Sequence, residues 1–404
     1  MFKNKKVKVA LCLGFLCSIS YLAVYIARNV LGAVTPQMIN SGRYTEEFIG
    51  TLSSVYFYFY AVGQLINGLI GQKINARNMM SFGLLFAGIL NFVFPYIKDD
   101  ISITLVYGLV GFFLSMIYAP MTKVVAENTE PIHAVRCSLG YTFASFFGSP
   151  VAGILASFMV WQSVFAFSSI ALWIMAVVVF VSFIILEKKQ YVFYSRFDKK
   201  KGEKRTGAIK ELIKRDIIAF TIVSIITGVI RTTVIFWMPT YFNQYLGFSE
   251  KVSTSVYSAS THIICASSFV SIFIYERMRR TMAKPLLLMF TVSAVAFVLM
   301  YFFHIPVVNV VLMILGIFFS NCATTILWSV YCNSLKDTGV VSGATGFLDF
   351  VSYMAAGISS TLFANSVSTI GWGNLILVWA GLMIIGVLTA VYLLIKDRRN
   401  SEAV

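Results

Sequence analysis

The sequence predicts an all-α polytopic membrane protein, with twelve transmembrane helices arranged as two six-helix pseudo-repeats. Three observations predict it. Of 404 residues, 58% are hydrophobic and 12% are charged, roughly half the charge of a soluble domain. The apolar residues fall into twelve runs, each near the ~20 residues that cross a bilayer as a helix. The basic residues between the runs lie overwhelmingly on one side.

This composition excludes an ordinary soluble enzyme, a disordered chain, a secreted disulfide scaffold and a coiled coil. The net charge of +15 would point to nucleic acid in a soluble protein. Here the charges sit between apolar runs, so no nucleic-acid partner is expected and the partner of the surface is the lipid bilayer. The six cysteines (Cys12, Cys17, Cys137, Cys265, Cys322, Cys332) form no CxxC pair and no Cys/His cluster. Most lie inside apolar runs, where cysteine acts as a small hydrophobe. No disulfide, metal site or cofactor is predicted.

The spans follow in order. Span 1 (9–34) places Tyr21, Tyr25, Arg28 and Gly32 on one helical face, at i, i+4, i+7 and i+11. Span 2 (47–71) does the same with Tyr60, Gln64, Asn67 and Gly71, while Gly63, Gly68 and Gly71 read as helix-packing positions. Spans 3 (79–97) and 4 (101–123) carry Tyr96 and Tyr118, which suit anchoring at a membrane interface. Span 5 (137–159) contributes Tyr141, and span 6 (162–187) closes the first half. Residues 188–215 form the one long polar connection, read as a solvated linker. In span 7 (217–242) Thr227 stands one turn before Arg231. Span 8 (252–275) holds Ser258 and His262 one turn apart. Spans 9 (284–303) and 10 (306–330) follow. In span 11 (341–367) Thr345 and Tyr353 flank Asp349 by one turn each, and span 12 (372–395) ends the series. An alternating β-barrel pattern is absent, and helices satisfy their own backbone in lipid.

Orientation follows from charge. Twenty-seven of the 32 Lys and Arg fall in the termini, the 188–215 linker and the loops on the same side. Only Arg43, Lys98 and Lys251 fall in the opposite loops. The rule that cytoplasmic loops are basic puts both termini and the linker in the cytoplasm, as expected of a bacterial inner-membrane protein. The basic, then apolar, N-terminus is not read as a signal peptide, because cleavage would leave eleven spans and discard a segment with a counterpart later in the chain.

That counterpart is an internal repeat. Span 1 reads ARNVLGAVTPQMIN and span 7 reads IRTTVIFWMPTYFN, so Arg28, Pro36 and Asn40 match Arg231, Pro239 and Asn243 at identical spacings. The match fits two parallel repeats related by an axis along the membrane normal, with a binding site near the midplane.

Ionisable residues in mid-span are costly and mark function by default. The set is Arg28, Arg231, Asp349 and His262. With a single intramembrane carboxylate, at least one arginine has no acidic partner within the spans. Arginine offers a planar fork that matches phosphate or carboxylate, so the pair points to a small anionic substrate. Tyr21, Tyr25, Gln64, Asn67, Tyr141, Thr227, His262, Asp349 and Tyr353 are the candidate companions of Arg28 and Arg231 at a substrate site. No catalytic residue, Walker motif or nucleotide loop is found, so neither an enzyme nor an ATP-driven pump is indicated.

At these residues the chain resembles the organophosphate:phosphate antiporters of the major facilitator superfamily, which include the glycerol-3-phosphate and hexose-phosphate transporters. The Tyr21-xxx-Tyr25-xx-Arg28-x7-Pro36 pattern resembles their first helix and YFYFYAVGQLINGLIGQKINAR their second. The Arg231…Trp237-Met238-Pro239-Thr240-Tyr241 segment resembles their seventh helix, and GATGFLDFVSYMAAG their eleventh. The resemblance implies the major facilitator fold, a monomer, and a rocker-switch antiport in which Arg28 and Arg231 hold phosphate beside Tyr21 and Tyr25. The sequence departs from the family in four places. Gln72 replaces the acidic residue of the loop signature Gly68-xxx-Gln72-Lys73-xxx-Arg77, and Gln64 stands where those carriers have a lysine. Span 5 lacks their histidine, and Asp349 stands where the glycerol-phosphate carrier is neutral.

Three functions remain open on this reading. The first is exchange of a small organophosphate for inorganic phosphate. The second is proton-coupled symport of an organic carboxylate, with Asp349 carrying the proton. The third is a transporter-like membrane receptor for a phosphorylated solute.

Overall fold

A computed structural model describes residues 5–70, 74–194, 208–279, 281–335 and 341–402. Gly71, Gln72, Lys73 and the middle of the basic linker lie outside the described residues. Among the described residues the structure is helical, with no strand.

Eleven helical stretches are long and apolar enough to span a membrane. The last, Ala344–Arg399, is 56 residues long and breaks at Gly371, whose φ of 75° and ψ of 165° are not helical. Glycine adopts that left-handed φ without a Cβ penalty, and the break falls between the predicted spans 11 and 12. Span 1 is longer than predicted. It forms one helix over Lys5–Asn40, with Pro36 inside it. The sequence reading stopped at 34, but in apolar surroundings continuing the helix satisfies more backbone groups than a proline removes.

The chain divides into two compact units. One holds spans 1–6 together with Ser249–Ala259; the other holds span 7, the rest of span 8 and spans 9–12. In the first unit span 1 packs on span 5, span 2 on span 4, and span 3 on span 6. In the second, span 7 packs on span 11, the later part of span 8 on span 10, and span 9 on span 12. Adding six to each number converts the first scheme into the second, so the repeat read from Arg28 and Arg231 extends to helix pairing.

Small residues and hydroxyls bind the first unit together. A Cβ at Gly63 would overlap the Ser115 hydroxyl, and Asn67 one turn on donates to Ser115 Oγ at 2.7 Å. Spans 3 and 6 share a buried clasp: Asn91 Nδ2 donates to Ser168 Oγ at 2.9 Å and to Ser169 Oγ at 3.0 Å. At the basic end, Arg77 pairs with Glu187 at 2.7 Å, and Glu187 also accepts from Tyr194 at 2.8 Å. Burial, and then the Glu187 carboxylate, raise the Tyr194 phenol above its ordinary pKa. The segment Ser249–Ala259 is tied into this unit through Ser258 Oγ, which donates to Pro150 O at 2.8 Å, and Asn40, which donates to Glu250 at 2.7 Å.

Five spans are interrupted. Span 4 turns at 115–117, span 5 at Phe147 and span 8 at Ala266. Spans 7 and 10 contain π turns over Ile230–Val234 and Ile326–Tyr331. Spans 3, 6 and 9 run unbroken. The broken spans 4, 5 and 7 pair with spans 2, 1 and 11, and the broken spans 8 and 10 pair with each other.

Asn91→Ala removes the clasp between spans 3 and 6. It should cost about 1 kcal/mol, typical of an interhelical hydrogen bond in a membrane protein. Thermal unfolding in detergent would show it, with substrate affinity unchanged.

Candidate functional site

The first half-site is built on span 1. Tyr21, Tyr25 and Arg28 share a face of one uninterrupted helix. Arg28 is 8% exposed. Its guanidinium carbon lies 5.1 Å from the Tyr25 ring centre, 5.3 Å from Tyr60 and 5.5 Å from Phe57. Nη1 donates to the Tyr25 hydroxyl at 3.5 Å. Ring faces attract a cation and hold a guanidinium by its plane. The three rings and the phenol thus help to set the position of the fork.

Span 5 sets the position of Tyr25. Its helix stops at Phe146 and restarts at Gly148, and a Cβ at Gly148 would stand 2.5 Å from the Tyr25 backbone carbon. Only glycine permits that approach. Beyond Tyr25, the rings continue toward the basic end. Tyr21 lies 4.9 Å from Tyr25, 5.7 Å from Tyr118 and 6.1 Å from Tyr141, and Tyr118 lies 6.3 Å from Tyr141.

Three placements differ from the sequence reading. Tyr118, read as suited to an interface, packs its ring against Tyr21 and Tyr141 after the turn at 115–117, and is 37% exposed. Asn67, one of the two amides read as cavity-lining, is enclosed. It is 1% exposed, and its amide is spent on Ser115, because the Gly63 contact brings span 4 against that side of span 2. Phe57, passed over as an ordinary apolar residue, forms part of the Arg28 cage. It sits three residues before Tyr60, on the same helical face, a spacing that was available in the sequence. Gln64 is half-buried, one turn from Tyr60.

In the second unit, Arg231 is half-buried on the π turn of span 7. Thr227 is buried and donates to its own helix at Val223 O, 2.7 Å away, so its hydroxyl is committed to the backbone. Spans 7 and 11 run parallel along a seam of small residues. Ser224 Oγ donates to Leu348 O at 2.9 Å, Gly228 meets Ser352, and Thr233 Oγ1 donates to Ala356 O at 3.2 Å. Counting along this seam at 1.5 Å per residue puts Tyr353 about 2 Å, and Asp349 about 8 Å, nearer the basic end than Arg231. Asp349 is half-buried and within electrostatic reach of the Cys332 thiol, while Tyr353 is buried. His262 is exposed, one turn before the break in span 8. The second unit thus carries its arginine on a π turn, where the first carries Arg28 on a regular helix.

The family model of the Major Facilitator Superfamily matches residues 17–357. The chain belongs to the major facilitator superfamily. Among superfamily members with curated descriptions, the glycerol-3-phosphate transporter of Bacillus subtilis is 21% identical over 398 residues, covering 90% of this chain and 86% of that protein. The membrane sensor protein UhpC of Salmonella typhimurium is 28% identical over 95 residues, covering 24% of this chain and 22% of the sensor's length. The fold is shared with the D-xylose-proton symporter, at a TM-score of 0.75 and 12% identity over 95% of this chain and 97% of that one. Membership of the superfamily accounts for the twelve crossings and the pairing scheme that repeats between the units.

Gly148→Ala should push span 5 off Tyr25 and disturb the Arg28 cage. Anion affinity should fall on the order of tenfold, about 1.4 kcal/mol and within the usual cost of overpacking. Binding to purified protein, with a gel-filtration profile to show retained fold, measures it.

Proposed function

We propose that the chain is a secondary active transporter that exchanges a small organophosphate, such as a sugar or glycerol phosphate, for inorganic phosphate by rocker-switch alternating access. The observation that carries this reading is the Arg28 cage. A mid-span guanidinium is held by three ring faces and a phenol. The second unit has an arginine at the same repeat position, since Arg231 and Gly228 follow Arg28 and Tyr25 by the same offset. Two forks of this kind suit a phosphate dianion, which cancels both charges. The glycerol-3-phosphate transporter that aligns over most of the chain supports the same class of solute.

Exchange follows if the doubly cationic empty protein is slow to reorient and bound anion lowers that barrier. The substrate-site residues in this reading are Arg28, Tyr21, Tyr25, Gln64 and Tyr141 in the first unit, and Arg231, Asp349, Tyr353 and His262 in the second. Tyr118 and Phe57 join them on geometry. The charge asymmetry supports a multi-pass protein of the bacterial inner membrane, with both termini in the cytoplasm.

Asp349 favours a second reading. A half-buried carboxylate offset from Arg231 suits a proton carrier, and hence proton-coupled symport of an organic carboxylate. Uptake that needs no trans anion, collapses with the proton gradient and is lost in Asp349→Asn would select it. A non-transporting receptor, favoured by the partial match to a sensor protein, would bind solute without turnover.

The deciding experiment is counterflow. Liposomes loaded with unlabelled phosphate should accumulate external labelled phosphate, and empty liposomes should not. Arg28→Lys and Arg231→Lys should each lower the rate by about tenfold or more, because a point charge does not replace the bidentate fork. Full activity in both lysine variants would sink the proposal.

A further inference from the structure

The seam between spans 7 and 11 contains a mismatch. On span 11 its three rungs, Leu348, Ser352 and Ala356, are separated by four residues and then four. On span 7 the rungs Ser224, Gly228 and Thr233 are separated by four and then five. The extra residue falls inside the π turn Ile230–Val234, which also carries Arg231. A π turn is a one-residue expansion of an α-helix, and such turns recur at functional sites.

The mismatch changes where Arg231 points. With five residues between rungs, Arg231 stands three-fifths of a turn past Gly228, about 144° from the line of the seam. With four it would stand three-quarters of a turn past, about 90° from that line. In span 1 the repeat-equivalent helix is regular, and Arg28 follows the Tyr25 contact with Gly148 by three α-helical residues, about 60° from that contact. Identical sequence spacing thus yields two different projections.

Three contacts hold the wide turn. Gly228 has no side chain, and a Cβ there would overlap the Ser352 hydroxyl and come within 3.1 Å of Ser352 Cβ. Within the turn, Thr232 Oγ1 donates back to Gly228 O at 2.5 Å, while Thr233 takes the third rung at Ala356 O. Small residues let the two helices touch, the Thr232 hydroxyl bonds within span 7, and the Thr233 hydroxyl ties the turn to span 11.

We propose that Gly228 and Ser352 are positioning residues for Arg231: their close contact keeps the wide turn in register, and the wide turn aims the guanidinium at the transported anion. This rests on the reading of Arg231 as an anion ligand.

The test is steric rescue. In phosphate counterflow, Gly228→Ala should raise the KM for phosphate about tenfold, because the added methyl group forces the seam apart. Maximal rate should change less. Adding Ser352→Gly removes the obstructing hydroxyl and should return KM to within about threefold of wild type, a small residual on the same scale. Deleting Thr232, which removes the extra residue, should abolish phosphate protection against thermal unfolding while the protein still elutes as a single species. An unchanged KM in Gly228→Ala, or a double variant no better than the single one, would overturn the proposal. Wild-type protein that moves no phosphate would overturn the anion-ligand role itself. The seam is then judged by melting temperature alone, which should fall in Gly228→Ala and recover in the double variant.

Discussion

In a bilayer every backbone N–H and C=O must find a partner within the protein, and the interruptions in this chain are arranged around that constraint. Where span 4 turns, Ser115 Oγ donates to Phe112 O at 2.6 Å. Where span 5 turns, Ser145 Oγ donates to Thr142 O at 2.6 Å. In the wide turn of span 7, Thr232 Oγ1 donates to Gly228 O. These three breaks each carry a hydroxyl donor, and a break re-aims side chains that a straight helix would send elsewhere. Tyr118 and Arg231 are the clearest cases.

The two arginines meet the cost of a buried cation differently. Arg28 stands among faces of Tyr25, Phe57 and Tyr60, whose quadrupoles offset part of the lost hydration. Arg231 has glycine at the position corresponding to Tyr25, and that glycine meets Ser352 on the neighbouring helix. The repeat therefore preserves the arginine but not its surroundings. One half sets its cation among rings, the other on a widened turn of backbone.

Much of the architecture was legible in the sequence because lipid imposes a length and composition on each crossing. The apolar runs, the asymmetry of Lys and Arg, and the repeated Arg–Pro–Asn spacing led to the superfamily fold. The lining of the site was less legible. Asn67 and Gln64 look alike on a helical wheel, and only the Gly63–Ser115 contact shows that Asn67 is enclosed by span 4. Tyr118 looked like an interface residue because nothing in YAPMTK announces a helix break four residues earlier. The π turn of span 7 was invisible in principle, since it leaves the spacing of Arg231, Pro239 and Asn243 unchanged from span 1. Helical periodicity assumes one pitch throughout, and a single wide turn defeats it.

The break at Gly371 bears on how the chain enters the membrane. Spans 11 and 12 meet at one left-handed residue instead of a loop. Nearby polar side chains fold onto local carbonyls: Ser368 and Thr369 donate to Asn365 O, and Asn374 donates to Ile370 O. Such a turn exposes little free backbone, so the work of carrying it across the bilayer is small. The two crossings joined at Gly371 are therefore suited to entering the bilayer together.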